Sequence, residues 1–314
     1  MNSENKNIPK SKATTGMAAR ETAVRVLMAV SLKNRPLDLA FDDMASEANL
    51  NSLDRAFTMH IVMLSLRRYG GLNYILNKLV DRGLPQNATW TKAALLIGLT
   101  QILFMRTADF ASAHQMVELV KNLPGKEKGF AGLVNAVLRR AGREKESLLN
   151  SLEQNPIFDI PSWLRNRWTK TYGEETTKQL AIALRNEPML DISPKIPHEG
   201  ELLAGPLEAK ILPTGTLRRQ FADVRLLDGY DEGKWWIQDL SASLPAKLFP
   251  DLNGKHILDM CAAPGGKTMQ LASQGATVTA IDRSKNRLKR LTENLERTNL
   301  KAKIVTADAS SYNP

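Results

Sequence analysis

The sequence predicts a multidomain chain with an all-α domain, then a small α+β connector, then an incomplete α/β domain. Apolar residues recur at three- and four-residue spacing from about 17 to 145, which indicates helices. Prolines and glycines are frequent from 188 to 233, where the strand-like pieces are short. From about 236, strand-like and helix-like segments alternate, as in βαβ units. The predicted parts are a disordered tail (1–16), the helical domain (17–145), the connector (146–235) and the α/β domain (236–314).

The helical domain is predicted from four amphipathic or apolar stretches with no β-type alternation among them. They are "MAARETAVRVLMAVSL", "DRAFTMHIVMLSLRRYGGLNYILNKLV", "WTKAALLIGLTQILFM" and "FAGLVNAVLRRAG". Asp54 and Ser112 are predicted helix N-caps, and Gly142 is a predicted stop. The pair Gly70-Gly71 predicts a break between two helices.

The remaining elements follow from local patterns. "PSWLRNRWTKTYGEETTKQLAIALRNEP" predicts two helices that are separated by Gly173 and end before Pro188. "KHILDM", "ATVTAID" and "AKIVTAD" are predicted strands, and "KTMQLASQ" and "SKNRLKRLTENLERTNL" are the helices between them. This order predicts a βαβαβ unit with a parallel sheet.

Composition and charge limit the classes of protein to which this chain can belong. The net charge of +10 and the pI of about 9.6 favour a polyanion as partner, although a merely basic surface is the plain alternative. No apolar run approaches the roughly 18 residues that span a bilayer, and the polar N-terminus does not resemble a signal peptide. The single cysteine excludes an intramolecular disulfide framework and a Cys-only metal site, so a reducing cytoplasm is the simplest compartment. The four histidines show no metal-ligand spacing, and we predict no metal site.

The segment "CAAPGGKT" does not match either common phosphate-binding loop. A P-loop ends like Gly266-Lys267-Thr268, but its first glycine would fall on Cys261. The dinucleotide pattern G-x-G-x-x-G is absent as well. These mismatches argue against a phosphate-bearing ligand, so the remaining candidate is a nucleoside cofactor that has no phosphate. The glycine pair would let such a ligand approach the backbone closely.

Two aspartates complete the predicted cofactor site. Asp282 ends the second strand of the unit, where a carboxylate suits the ribose hydroxyls, and Asp308 ends the third strand, within reach of an adenine edge. The alternative is that both residues only cap the following helices. Taken together with the loop, they favour S-adenosylmethionine, which has a carboxylate, a ribose and an adenine but no phosphate.

These motifs resemble a known family. "LDMCAAPGGKT", with "WWIQDLSASLP" before it, is similar to the cofactor region of bacterial RNA cytosine-5 methyltransferases of the RsmB/Sun (Fmu) type. "DRAFTMHIVMLSLRRYGGLNYIL" and "KGFAGLVNAVLRR" resemble that family's NusB-like RNA-binding domain. The resemblance covers about 18–314 and implies a Rossmann-like methyltransferase domain acting on small-subunit ribosomal RNA. It differs where "MLDISP" stands in place of an Arg-Val-Asn strand. The implied cofactor residues are Cys261, Ala262, Ala263, Pro264, Gly265, Gly266, Lys267, Asp282 and Asp308.

The resemblance also implies a nucleophilic cysteine, in a segment after two further strands, that this sequence does not contain. We therefore expect the nucleophile beyond Pro314, assign no catalytic residue here and predict that the chain alone is inactive. Cys261 is expected to line the cofactor loop; a catalytic role for it is the disfavoured alternative. The rival hypotheses are a non-catalytic RNA-binding protein with a NusB-like domain and, less favoured, a P-loop-like nucleotide hydrolase.

Candidate RNA contacts come from basic and aromatic residues in both the helical domain and the α/β domain. The resemblance favours Arg139, Arg140, Arg143 and Lys145 as contacts to the RNA backbone. The basic residues of the helix 284–300 are interpreted as a solvated face; they are Lys285, Arg287, Lys289, Arg290 and Arg297. Trp235 and Trp236 could stack on bases, but core packing is the favoured interpretation.

Overall fold

The computed structural model describes residues 16–105, 109–220 and 222–313. The predicted disordered tail therefore lies outside the described residues, except for Gly16. Two compact units are present, and they divide between Asn186 and Glu187. The predicted domain limits at 145/146 and 235/236 remain predictions, since the compact units part at a different position.

The first unit is all-helical, which confirms the fold class predicted for 17–145, and it also includes helices that the sequence assigned to the connector. Its helices are α1 (Met17–Lys33), α2 (Leu37–Glu47), α3 (Ser52–Arg67), α4 (Tyr69–Leu79), α5 (Thr89–Phe104), α6 (Asp109–Lys121), α7 (Ala131–Arg143), α8 (Lys145–Gln154), α9 (Ser162–Tyr172) and α10 (Glu174–Arg185). The apolar helix α5 is buried from Ala93 to Leu103 and packs against α1, α3, α6 and α7. A helix that is apolar all round is suited to such a central position.

Four predicted helix signals are wrong in detail. The N-cap of α3 is Asn51, whose side chain accepts a hydrogen bond from the backbone of Asp54 at 2.8 Å. Ser112 lies inside α6, and Gly142 lies inside α7. The predicted break between α3 and α4 falls at Arg68, so that both glycines of the pair belong to α4.

The glycines of α4 are explained by a close contact. A Cβ on Gly70 would lie 2.0 Å from the carbonyl oxygen of Phe158, and one on Gly71 would lie 2.3 Å from Asp159 Oδ1. These partners belong to a 3-10 turn, Pro156–Asp159, that crosses α4. The Asp159 carboxylate accepts from Arg185 Nε at 2.7 Å and lies 3.3 Å from Arg68 Nε, so it ties α3, the turn and α10 together.

The second unit contains an antiparallel sheet and a parallel sheet. The antiparallel sheet consists of β1 (Leu190–Pro194), β2 (Lys210–Ile211), β3 (Leu217–Arg219) and β4 (Trp235–Ile237), in the order β2-β3-β1-β4. The short helix α11 (Gly200–Ala204) lies between β1 and β2 in the chain, and α12 (Leu240–Lys247) follows β4. Trp235 and Trp236 are almost fully buried in two different hydrophobic clusters, because adjacent strand residues point to opposite faces.

The parallel sheet confirms the predicted βαβαβ order. Its strands are β5 (His256–Met260), β6 (Thr277–Asp282) and β7 (Lys303–Thr306), in the order β5-β6-β7, connected by α13 (Gly266–Ser273) and α14 (Lys285–Thr298). Met260 pairs with Ile281, and Asp282 pairs with Thr306. The three segments that follow β5, β6 and β7 therefore leave the same edge of the sheet.

Candidate cofactor site

The loop after β5 is held in a tight turn. Cys261 adopts a left-handed conformation with φ of 61°, which is uncommon for a residue other than glycine. Ala262 donates its N–H to the carbonyl of Ile281 at 2.9 Å, and Gly265 donates to the carbonyl of Ala262 at 2.8 Å. These bonds fix the loop to the neighbouring strand β6 and direct it into α13.

Only one glycine of the loop is required by the fold itself. Gly265 has a φ of 109°, and a Cβ there would lie 3.1 Å from Leu291 Cγ. Gly266 begins α13, and the nearest atom to its Cβ position is Gln238 Cγ, at 3.5 Å, an ordinary contact. The fold thus requires glycine at 265, whereas its packing admits a methyl group at 266.

Asp282 lies at the centre of this edge, at the end of the middle strand. Its side chain is 3% exposed. Oδ1 accepts the backbone N–H of Ser284 at 2.9 Å, and Oδ2 accepts that of Ala263 at 3.2 Å. The N-cap of α14 is Ser284 and not Asp282, so helix capping does not explain this carboxylate.

Asp308 lies two residues beyond β7, although the sequence predicted that it would end the strand. The N–H of the preceding Ala307 donates to the carbonyl of Asp282 at 3.3 Å. Its exposed carboxylate accepts the backbone N–H and the hydroxyl of Ser310, at 2.9 and 2.6 Å. These bonds lower the pKa of Asp308, so it is charged at neutral pH. The structure brings Asp282 and the segment leading to Asp308 together, as their places at strand ends predict.

Two residues of α14 brace the loop, although the sequence placed Arg287 on a solvated face and did not single out Asn294. Arg287 lies 3.3 Å from Asp282 Oδ2 through Nη1, and its Nη2 donates to the carbonyl of Ala263. Asn294 donates to the carbonyl of Pro264 at 3.0 Å. Arg287 follows Asp282 by five residues, and this spacing is the signal in the sequence that could have indicated their contact.

A buried hydrogen-bond network supports the other side of the loop. Gln238 Oε1 accepts from Trp236 Nε1 at 2.9 Å and from Ser193 Oγ at 3.0 Å, and Gln238 Nε2 donates to Gln270 at 2.8 Å. This network links the antiparallel sheet to α13. Its buried groups are costly to leave unpaired, so it fixes the position of α13 behind the loop.

A second buried contact fixes the start of α13. Thr268 donates its hydroxyl to Asp259 at 2.6 Å, and burial raises the pKa of Asp259. Within the loop itself, Cys261, Pro264 and Lys267 have exposed side chains, whereas Ala262 and Ala263 are buried. The loop therefore presents its backbone and three side chains to solvent at the sheet edge.

The basic residues of α14 do not form a uniform solvated face, which corrects the sequence-based interpretation. Arg287 contacts the loop, and the guanidinium of Arg297 lies 4.1 Å above the ring of Tyr230. Arg297 also donates to the carbonyl of Trp235 at 3.1 Å. In the first unit, Arg140 pairs with Glu144 at 2.8 Å, so its charge is partly neutralised. Its proposed contact with RNA remains a prediction.

Comparison with known proteins identifies both ends of the chain. The NusB family model matches residues 17–143, and the model of the 16S rRNA methyltransferase RsmB/F matches residues 246–314. The ribosomal RNA small subunit methyltransferase B of Pseudomonas putida is 31% identical over 93% of this chain and 69% of its own length. This chain belongs to the ribosomal RNA small subunit methyltransferase B family.

Other relatives agree with this assignment. The methyltransferase B of Pasteurella multocida is 30% identical over 95% of this chain and 68% of its own length. The crystal structure of PH0851 superposes with a TM-score of 0.71 over 96% of this chain and 71% of that chain. At 19% identity, this likeness supports the fold alone. Among the described residues of this methyltransferase B family member, no helix is both long and apolar enough to cross a bilayer.

Proposed function

We propose that this chain binds S-adenosylmethionine at the 261–267 loop, Asp282 and Asp308, and that it serves the methylation of cytosine C5 in 16S ribosomal RNA. The observation that carries the proposal is the convergence of these three segments at the carboxyl edge of β5-β6-β7 in a member of a ribosomal RNA methyltransferase family. Ligands of open α/β sheets bind at this edge. A reducing cytoplasm, where ribosomal RNA is made, is part of the proposal.

The Asp282 carboxylate suits a ribose diol. Its two oxygens offer about four acceptor positions, and the two backbone N–H groups and Arg287 occupy three of them. The 3.3 Å between Arg287 Nη1 and Oδ2 is long for a charge-assisted hydrogen bond, so this one contact gives way at little cost while Nη2 keeps its bond to the Ala263 carbonyl. The carboxylate then has about two acceptor positions for two hydroxyl donors.

Gly266 also fits a closely bound ligand. Its backbone does not need glycine for conformational reasons, and packing within the chain does not need it either. A ligand that approaches the backbone at the start of α13 would explain the glycine, because a larger residue would block that approach. The N–H groups there suit the cofactor's carboxylate, and Asp308 suits the adenine edge.

The chemistry sets a further requirement. When bound, S-adenosylmethionine supplies an electrophilic methyl group. Cytosine C5 becomes nucleophilic only after a thiolate forms a bond to C6; once C5 has taken the methyl group, a base removes the C5 proton, and the C6–S bond breaks to release the thiolate. Cys261 is the one thiol of this sequence, and it lies within the loop that we assign to the cofactor. We therefore propose that Cys261 lines the cofactor site and that this chain alone does not methylate.

Calorimetric titration of the chain with S-adenosylmethionine and with ATP tests the cofactor. We expect saturable binding of the first only, and a loss of about 10- to 100-fold in Asp282→Asn, because a hydrogen bond to a charged group is worth about 1.5–3 kcal/mol. Asp251→Asn is the matched control, since Asp251 accepts the N–H of Asn253 at 3.0 Å, in the way that Asp282 accepts that of Ser284. Binding of ATP without S-adenosylmethionine would contradict the proposal.

Methyl transfer to unmethylated 16S ribosomal RNA tests the role of Cys261. We expect no transfer by this chain, and Cys261→Ala should change the cofactor affinity by no more than about threefold, since the residue offers the site mainly its backbone. Transfer that disappears in Cys261→Ala would show that Cys261 is the nucleophile. RNA binding without any cofactor binding would instead favour a non-catalytic RNA-binding protein.

A further inference from the structure

The helix α9 carries an exposed face that neither family model covers, because it lies between the matched ranges 17–143 and 246–314. Trp163, Arg167 and Lys170 follow one another at spacings of four and three, so they share one side of the helix. Trp163 is 66% exposed, and the two basic side chains are exposed as well. The sequence of α9 contains no aspartate or glutamate.

The opposite side of α9 accounts for its packing. Leu164 and Trp168 are partly buried, and α9 packs against α10. The fold therefore partly buries Trp168 and leaves Trp163 in solvent, as it does Tyr172 at the end of the helix. At 66% exposure, the Trp163 indole contributes little to the packing of this helix, and most of its surface is open to a partner.

The chemistry of the face distinguishes between partners. Along the helix, the neighbours of Trp163 on this face are Asn166, Arg167 and Lys170, so the indole is a single aromatic group among polar and basic ones. A docking helix or a lipid surface would need a wider apolar patch. Single-stranded RNA needs what is present: an aromatic surface on which a base stacks, and cations beside it for the phosphates.

We propose that Trp163, Arg167 and Lys170 form a contact for a single-stranded segment of the RNA substrate. One base stacks on the Trp163 indole, while Arg167 and Lys170 bind the flanking phosphates. The inference rests on the proposed function in so far as RNA is the substrate, and it adds a contact outside the NusB-like helices and outside the cofactor site.

The test measures the fluorescence anisotropy of a labelled 12-nucleotide oligoadenylate with the full chain, and of the same strand in a duplex. We expect Trp163→Ala to weaken single-strand binding by about 10-fold, since stacking on an aromatic side chain is worth about 1–3 kcal/mol per base. Duplex binding should change by less than about twofold, because paired bases cannot stack on the indole. Trp163→Phe should restore most of the affinity.

The two cations are tested through salt dependence. The double variant Arg167→Ala/Lys170→Ala should reduce the slope of log affinity against log salt by about 1.4, at about 0.7 for each phosphate contact with a single strand. Lys255→Ala/Lys301→Ala is the matched control: it also removes two exposed positive charges, but at the amino ends of β5 and β7. An equal change in both double variants would show a general effect of net charge and would overturn the proposal.

The remaining outcomes are also decisive. If wild type binds RNA and Trp163→Ala binds it within twofold, this inference is wrong and the proposed function is untouched; the face would then serve another partner, such as a protein. If wild type binds no RNA, the proposed substrate fails together with the inference. Because Trp163 is 66% exposed, the variant should keep the wild-type helical circular dichroism and melting temperature.

Discussion

Replacement of Gly70 by alanine should destabilise the first unit severely, although alanine favours helix formation. The added Cβ would lie 2.0 Å from the carbonyl oxygen of Phe158 and 3.0 Å from that of Asp159. The turn must therefore retreat by about 1 Å, because real Cβ contacts below 3.0 Å are essentially never found. This movement would stretch the 2.7 Å hydrogen bond between Asp159 and Arg185.

Two contributions set the size of the loss of stability in Gly70→Ala. Overpacking costs about 1–3 kcal/mol, and a weakened hydrogen bond between charged groups adds about 1–2 kcal/mol. A total of about 3 kcal/mol corresponds to a fall of roughly 6–12 °C in the melting temperature of a unit of this size. Thermal unfolding followed by circular dichroism at 222 nm reports chiefly on this unit, because it contains most of the helices.

The control is Gly132→Ala in the exposed first turn of α7, where no atom lies within 4 Å of the added Cβ. There the substitution reduces the entropy of the unfolded chain and should stabilise by up to about 0.5–1 kcal/mol. The two variants should thus differ in sign. A melting temperature for Gly70→Ala within about 1 °C of wild type would refute the inference that the turn is pressed against α4.

Two further changes test the second unit. Gly265→Ala should weaken S-adenosylmethionine binding at least 10-fold, because its φ of 109° is unfavourable to alanine and its Cβ would press on Leu291; Gly254→Ala, also at positive φ but in open space, should leave titration with the cofactor unchanged. Asp191 accepts two hydrogen bonds from Arg218, at 2.6 and 2.8 Å, and these bonds lower its pKa. This stabilisation is present above the unfolded pKa of about 4 and is lost as pH falls through the lower folded pKa, so Asp191→Asn should cost about 1–2 kcal/mol in urea unfolding at pH 7 and progressively less below pH 4. A cost that does not change with pH would contradict the role of the carboxylate charge.

The sequence was sufficient for the order of elements and for the residues at the strand ends. Apolar spacing located the strands that end at Met260 and Asp282, because a parallel sheet places successive strand ends at one edge. It was insufficient where a residue acts on a distant part of the chain. The contact of Gly70 with Phe158 joins positions 88 residues apart, so the glycine was interpreted locally, as a helix break. The brace from Arg287 to Ala263 was missed for the same reason.

The structure also changes what the net charge of +10 means. The sequence alone allows every lysine and arginine to contribute to RNA binding, yet several are engaged in structural contacts. Arg185 holds a buried carboxylate, Arg297 lies on Tyr230, and Arg287 braces the cofactor loop. Because such contacts fix a guanidinium in place, these residues can contribute only a diffuse field to binding. The exposed cations beside Trp163 are different, since an aromatic surface accompanies them. The positions of the individual charges, and not the net charge, therefore identify the surface where RNA binding should be tested first.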